Sequence, residues 1–295
     1  MADFEVRLAT AEEVDLVAAT LTAGYGREFS ADWVRWKHHE SPFGPSQCHL
    51  AEDGEGVLGV AFRMPWPSRF GTTAVNLVRL VDGTSTPRAV RRGVFRAVVR
   101  SMMDAGGPFD VALATATPEA RGAHVKNGAI TPESIGAVVH AELPQPASLV
   151  RGPELLDDWT DTGGGLRTSW TAAALRWRVD RRSGLGYTVA RLRHADDNHG
   201  VIYRVAGSGA HRVVAVVSGW GPAVLQRRVV RAACWQARTP VTLWYEGPGT
   251  PNRSRRPARP SGESLMCVWG SGIEAYGAGR VDRWSYDGLE LEGVV

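Results

Sequence analysis

A chain of 295 residues, 43% of them hydrophobic, is long and apolar enough for one large core or two medium ones, and its composition excludes wholesale disorder. The formal net charge is only +3, and of 34 basic residues just Lys37 and Lys126 are lysine, a balance that does not mark a nucleic-acid-binding protein. Three scattered cysteines, Cys48, Cys234 and Cys267, argue against a disulfide framework and for a reducing compartment. The opening MADFEVRLATAEE lacks a basic start followed by an apolar run, and no segment approaches ~20 consecutive apolar residues, so a cytoplasmic chain without a membrane span is expected.

Phe4 to Arg7 alternates as a short strand. Thr10 and Glu13 make a capping box that opens a helix across Val14, Leu16, Val17 and Leu21. A second helix carries Trp33 and Trp36, and His38, His39 and Glu40 follow on it. Adjacent side chains on a helix diverge, so these three read as surface groups rather than a metal site. Cys48 to Glu52 and Val57 to Met64 read as strands joined by the turn Asp53, Gly54, Glu55, Gly56. Leu77 to Met103 is the most informative stretch: an apolar strand, a turn with Pro87 and Gly93, then an amphipathic helix. The first N–H groups of that helix have no partner within it, so the turn is an anion site into which a pyrophosphate would fit. Phe109 to Ala116 is the next apolar strand, followed by Thr117, Pro118 and Glu119 and a short helix over Ala120 to Gly128.

The loop Val90, Arg91, Arg92, Gly93, Val94, Phe95 resembles the acyl-CoA-binding motif of the GNAT acyltransferase superfamily, Arg/Gln-x-x-Gly-x-Gly/Ala between a strand and a helix. Gly93 and its basic neighbours match; Val90 and Phe95 stand where the superfamily carries Arg or Gln and Gly or Ala. The element order, strand, helix, helix, three strands, motif helix, strand, is also the order of that superfamily. The resemblance implies an α/β (α+β) fold with mixed, mostly antiparallel sheets flanked by helices, and acetyl-CoA or another acyl-CoA as cosubstrate with no metal. It places Gly83, Thr84 and Ser85 along the pantetheine, with a backbone N–H near Ser85 polarising the thioester carbonyl, and residues 90 to 95 at the pyrophosphate. Asp82, the nearest carboxylate to that strand end, either takes the acceptor's proton through a water or stabilises the turn. Glu119 is an alternative base or substrate anchor. His124 falls on the position of a superfamily tyrosine that protonates the departing thiolate. Trp33, Trp36 and Trp66 read as core, or as lining of the acceptor pocket.

The second half repeats the first. Trp33 to Lys37 matches Ala174 to Arg178, and Gly59 to Arg63 matches Gly200 to Arg204, both at an offset of 141 residues. On this register Arg212 to Val217 matches the motif strand and Ala223 to Ala237 the motif helix, but Ser218 to Pro222 between them is shorter and has no basic residue. Pro144, Pro146 and a triple glycine make 141 to 167 largely irregular. The expected division is a GNAT-like acyl-CoA-binding domain over 1–145, a linker over 146–167 and a degenerate GNAT-like domain over 168–295. Gly247 to Gly262 interleaves prolines with Arg253, Arg255, Arg256 and Arg259, either a solvated loop or a contact for an anion. A closing Trp284-x-x-Asp-Gly-Leu-Glu-Leu extends the tandem resemblance.

The function expected is transfer of an acyl group, in the first instance acetyl, from CoA to an amine of a small molecule or a peptide. The alternative is a catalytically silent acyl-CoA-binding or interaction module, motivated by Val90, Phe95 and the missing tyrosine. Nucleic acid ranks far lower as a partner, resting on the arginine-rich loop alone, and dimerisation through an exposed sheet edge is left open.

Overall fold

The computed structural model describes residues 4–104, 107–132, 135–160, 165–195, 198–245, 260–276 and 278–279. The arginine-rich loop up to residue 259 and the closing segment from Trp284 lie outside the described residues. The chain divides into two compact units, Met1–Glu133 with Leu265–Arg280, and Ser134–Ser264 with the chain end.

The first unit opens with β1 (Glu5–Leu8) and the expected capping box: Thr10 N–H donates to Glu13 Oε2 at 2.8 Å. A 3-10 turn over Ala11–Glu13 runs into α1 (Val14–Tyr25), which buries Val14, Val17 and Leu21 but leaves Leu16 exposed, and Gly26 in the left-handed region ends it. Ser30 caps α2 (Ala31–Val34), its hydroxyl accepting from Trp33 N–H at 3.1 Å. The chain then loosens into a π-helical turn, Arg35–His39, closed by Glu40 N–H to Arg35 O at 2.9 Å. That turn buries Trp36, Lys37 and His38 in succession, its extra residue carrying three large side chains inward.

β2 (Gln47–Asp53), β3 (Gly56–Pro65), β4 (Ser68–Phe70), β5 (Thr73–Val75), β6 (Leu77–Ser85) and β7 (Val111–Ala116) follow, with α3 (Val94–Asp104) between β6 and β7 and α4 (Pro118–Lys126) after β7. The unit's sheet runs β1-β2-β3-β6-β7 and then the late strand Pro260–Trp269, from residue 265 on; only β6 and β7 are parallel. α3 buries Val94, Val98, Val99 and Met102 against Leu58, Ala61, Val78, Leu80, Ala112 and Ala114 on one face of the sheet.

Two irregularities shape β6. Val60 pairs with Thr84 and Phe62 with Val81, so Ala61 alone faces both Asp82 and Gly83, a bulge with Asp82 at φ +49°. The parallel pairing with β7 covers only Leu77 to Arg79 opposite Val111 to Leu113; β6 then runs on to Ser85 without it.

The second unit comprises β8 (Ile135–Ala141), β9 (Leu149–Arg151), β10 (Leu166–Thr168), α5 (Ala172–Val179), β11 (Thr188–Leu192), β12 (Gly200–Ala206), β13 (Val213–Trp220), α6 (Ala223–Ala237) and β14 (Val241–Tyr245). The stretch read as largely irregular thus contains β9, which pairs with β11 through Val150 opposite Arg191. Within the unit β9, β11, β12 and β13 are antiparallel neighbours, β13 and β14 are parallel, and β8 is antiparallel to β14. Here too a bulge recurs: Ile202 pairs with Ser218 and Tyr203 with Val216, leaving Val217 extra on β13.

Gly83 is required by close approach rather than by its torsions, since a Cβ there would lie 2.7 Å from Phe95 Cε2. Gly83→Ala therefore costs about 1–2 kcal/mol by displacing the ring. In a Phe95→Ala background the penalty shrinks to what the Ala61 Cβ, 3.2 Å away, still imposes, a coupling that urea unfolding of the four proteins measures.

Candidate functional site

The bulge brings together groups that are far apart in sequence. Asp82 Oδ2 lies 2.6 Å from Lys37 Nζ and 3.1 Å from His38 Nε2. The side chains of Lys37 and His38 are 4% and 0% exposed and that of Asp82 is 15% exposed. The reading of His38 as a surface group is therefore corrected: the π-helical turn swings it into the core, while His39 and Glu40 stay exposed. The His38 ring stacks on Phe62 with centroids 3.5 Å apart, and its Nδ1 lies 3.1 Å from Ser46 Oγ. Lys37 also sits 4.8 Å over the Trp33 ring. Burial pushes the Asp82 carboxyl up, but the charge of Lys37 and the His38 imidazole outweigh it and hold the group well below the usual carboxylate range. Asp82 is thus a fixed anion.

Tyr25, at the end of α1, donates from its hydroxyl to Gly83 O at 3.1 Å, pinning the bulge from the helix side. Neither it nor Lys37, His38 or Ser46 was singled out as a site residue by the sequence. The only local cue was Asp82–Gly83 at a strand end, and the partners come from a turn whose irregular winding no spacing rule reports. Trp36 and Trp66 are core, at 1% and 2% exposure.

Beyond the bulge, Ser85 Oγ is buried without a hydrogen-bond partner. Thr84 follows Gly83 along the strand edge that has left β7. In the loop, Arg91 at φ +63° and Gly93 at φ +77° turn the backbone, and nothing lies within 4 Å of where a Gly93 Cβ would be. Val90 is exposed and Val94 buried. Arg92 Nη1 and Arg88 Nη2 bind the two oxygens of Asp53 at 2.9 and 2.6 Å, which holds that carboxyl near 2 and clamps the loop to the β2–β3 turn. Among the loop arginines, Arg91 has no such carboxylate.

The remaining candidates stand apart from Asp82. His124 is buried edge-on between Phe95, at 5.6 Å, and Trp269, at 5.3 Å, and its Nδ1 has no partner. Burial pushes its pKa down to about 4, so at neutral pH it is an uncharged imidazole. Glu119 lies exposed in the first turn of α4, its pKa lowered by its own backbone N–H and by the Thr117 hydroxyl. Phe95, in the superfamily's Gly or Ala position, lays its ring on Gly83.

The second unit has the bulge without the chemistry. Val217 is the extra residue where the first unit has Asp82, two residues join β13 to α6, and Gln226 Nε2 donates to Gly221 O at 2.8 Å across that connection. Among the described residues no group of three or more metal-ligating side chains gathers, and no helix is long and apolar enough to cross a membrane.

Lys37→Met leaves burial opposed by His38 alone, so the Asp82 pKa rises, read from its carboxyl carbon by NMR. In the wild type the ionised carboxyl contributes stability that is complete above the unfolded value near ~3.9 and fades as pH falls through the lower folded value. The variant is less stable by about 3 kcal/mol at pH 7, and the gap narrows as acid neutralises its now unpaired carboxylate. A pH-independent gap contradicts the assignment.

No protein-family model and no curated protein matches the sequence. Solved structures do match its fold. A GCN5-related N-acetyltransferase from Kribbella flavida superposes with a TM-score of 0.66 at 14% identity, over 94% of this chain and 74% of that one. One from Anabaena variabilis gives 0.65 at 10% identity, over 92% and 73%. Eis1 from Mycobacterium abscessus gives 0.60 at 15%, over 94% and 76%. The α/β architecture, with one parallel pair among the otherwise antiparallel strands of each unit, is therefore the fold of the GCN5-related N-acetyltransferases.

Proposed function

We propose that the first unit is an acyl-CoA-dependent N-acyltransferase that passes an acyl group, in the first instance acetyl, directly to an amine of a small molecule or a peptide. The observation that carries this reading is the parting of β6 from β7 after Arg79 and Leu113, beside a bulge that presents a buried carboxylate. The residues fit an acyl-CoA in three respects. Ser85 Oγ is a buried polar atom in need of a partner, the space at Gly93 is open, and α3 begins directly behind the loop with its first N–H groups available. An acyl-CoA bound there supplies the thioester.

In this reading the backbone at residues 91 to 94, with Arg91, holds phosphate, and Gly83, Thr84 and Ser85 present hydrogen-bonding groups to the pantetheine arm. A backbone N–H aimed at the developing oxyanion contributes about 3 kcal/mol to the barrier reduction, as in other oxyanion holes. Asp82 binds the acceptor's ammonium and takes its proton through a water. Because Lys37 and His38 hold that carboxyl low, its contribution is more to anchoring and orienting the amine than to basicity. In this reading His124, buried behind Phe95, serves as the neutral N–H donor to the leaving thiolate, and Glu119 is an acceptor anchor on α4. The second unit is a degenerate copy, with Val217 and a two-residue connection in place of the carboxylate and the loop.

A second reading is favoured by one observation. The Phe95 ring on Gly83, backed by uncharged His124, narrows the crevice and suits a module that retains acyl-CoA without turning it over. Calorimetry with acetyl-CoA, paired with thiol release in the presence of a panel of primary amines, separates the two. Transfer requires binding that Gly93→Trp weakens by at least about ten-fold, and amine-dependent release of CoA. Binding without release leaves the silent module; no binding by the wild type removes both.

A further inference from the structure

The groups around His38 form a continuous chain in the order carboxylate, imidazole, hydroxyl. Asp82 Oδ2 is 3.1 Å from His38 Nε2, and His38 Nδ1 is 3.1 Å from Ser46 Oγ. The imidazole cannot turn: it is fully buried, stacked on Phe62, and Trp33 meets it edge-on at 5.9 Å. Ser46 is placed independently, its N–H donating to His38 O at 2.7 Å. The Asp82 contact with Nε2 is a charge contact, shared with Lys37 at 2.6 Å, rather than an aligned hydrogen bond; the anion's field favours the ring's proton on Nε2, with the Nδ1 lone pair facing the serine hydroxyl.

Ser46 is also where this chain meets open space. It lines a cavity of about 180 Å³ whose walls are mainly apolar, among them Val14, Val17, Val34 and Phe62. Thr10 and Gln47, in the same lining, carry a hydroxyl and an amide. At about 30 Å³ per water-sized group the space holds roughly six such groups, the size of a short acyl chain. Ser46 therefore combines a base within reach of its hydroxyl, an anion beside that base, and a mainly apolar cavity that the residue lines. Those are the parts of an activated serine, recognised by geometry rather than by position in sequence.

We infer that Ser46, His38 and Asp82 form a nucleophilic serine site that accepts short-chain acyl esters; it shares Asp82 with the acyl-CoA crevice at β6 and β7 but takes its substrate through the cavity beside Ser46. Ser46 Oγ attacks the ester carbonyl carbon; a C–O bond forms as the hydroxyl proton passes to His38 Nδ1, and Asp82 holds the imidazolium through Nε2. The ester C–O bond then breaks, and the alcohol leaves with the proton from Nδ1. A water attacks the acyl-serine by the same route, releasing the carboxylic acid and restoring Ser46.

The test uses the full chain without any acyl-CoA, so its result is independent of the acyl-transfer reading. The protein is incubated with an alkyl fluorophosphonate, and the modified peptide is mapped by mass spectrometry. Attack forms a P–O bond, breaks the P–F bond and expels fluoride. The expected result is labelling at Ser46 well ahead of every other serine in the chain, absent in Ser46→Ala at an unchanged melting temperature and about 100-fold slower in His38→Gln. Ser46 labelled no faster than the remaining serines of the wild type overturns the proposal, as does an unaltered rate in folded His38→Gln.

Discussion

Everything distinctive about the first unit depends on a carboxylate buried against a lysine. Asp82 occupies a left-handed backbone conformation inside a strand, which for a residue other than glycine costs of order 1–3 kcal/mol, and it does so with its side chain largely withdrawn from water. Neither cost is tolerable alone. Lys37 at 2.6 Å and His38 at 3.1 Å offset them, and both come from the π-helical turn that carries Trp36, Lys37 and His38 inward together. The turn and the bulge thus supply the two halves of one pair: the turn brings the counter-charge to the carboxylate, and the bulge presents the carboxylate to the ammonium. A buried pair of this kind adds less to net stability than its Coulomb attraction suggests, because both ions lose hydration; what it fixes is geometry. Here that geometry is the place where β6 turns away from β7.

Charge is handled differently at the loop. A run of arginines before a helix looks like an electrostatic trap for phosphate, yet Arg88 and Arg92 are already committed to Asp53, whose pKa near 2 keeps it ionised throughout the physiological range. Their work is to tie the loop to the β2–β3 turn. In the proposed acyl-CoA site, affinity for an anion would then fall to Arg91 and to the first N–H groups of α3, directional donors next to the clamped loop. The missing Arg or Gln at Val90 matters less in such an arrangement than a motif comparison suggests. Phe95 matters more, because its ring rests on the strand that the crevice exposes.

The fold was legible where local rules govern. The capping box at Thr10 and Glu13, the β2–β3 turn at Asp53 to Gly56, the amphipathic α3 and the strand before it are all visible in periodicity and turn chemistry. What escaped was set by tertiary contact. His38 was misplaced because helical spacing assumes 3.6 residues per turn, and one extra residue redirects the side chain. β9 was read as irregular because two prolines and a short apolar pair carry no strand signal until an edge is available to pair with. The candidate site was half legible: Asp82, Gly83 and Ser85 could be named from their place at a strand end, but Lys37 and Tyr25 meet that strand, and Ser46 meets His38, through packing that no local pattern reports.

The two bulges bear on how the carboxylate relates to the backbone that holds it. Across β12 and β13 the extra residue is Val217, and the offset that matches Phe62 to Tyr203 places it where the first unit has Asp82. Lys37 corresponds to Arg178 by the same offset, and both are buried. The bulge and the buried cation therefore persist where the carboxylate does not, so the bend in the strand is not produced by the ion pair. It belongs to the sheet, and a strand that bends there parts from its parallel neighbour whatever side chain it carries. In the first unit a carboxylate occupies that bend and is stabilised from below by Lys37; in the second a valine fills it, and the connection to the following helix has shrunk to Gly221 and Pro222. The buried carboxylate and the long loop are thus local features of the first unit, set on a strand distortion that both units share.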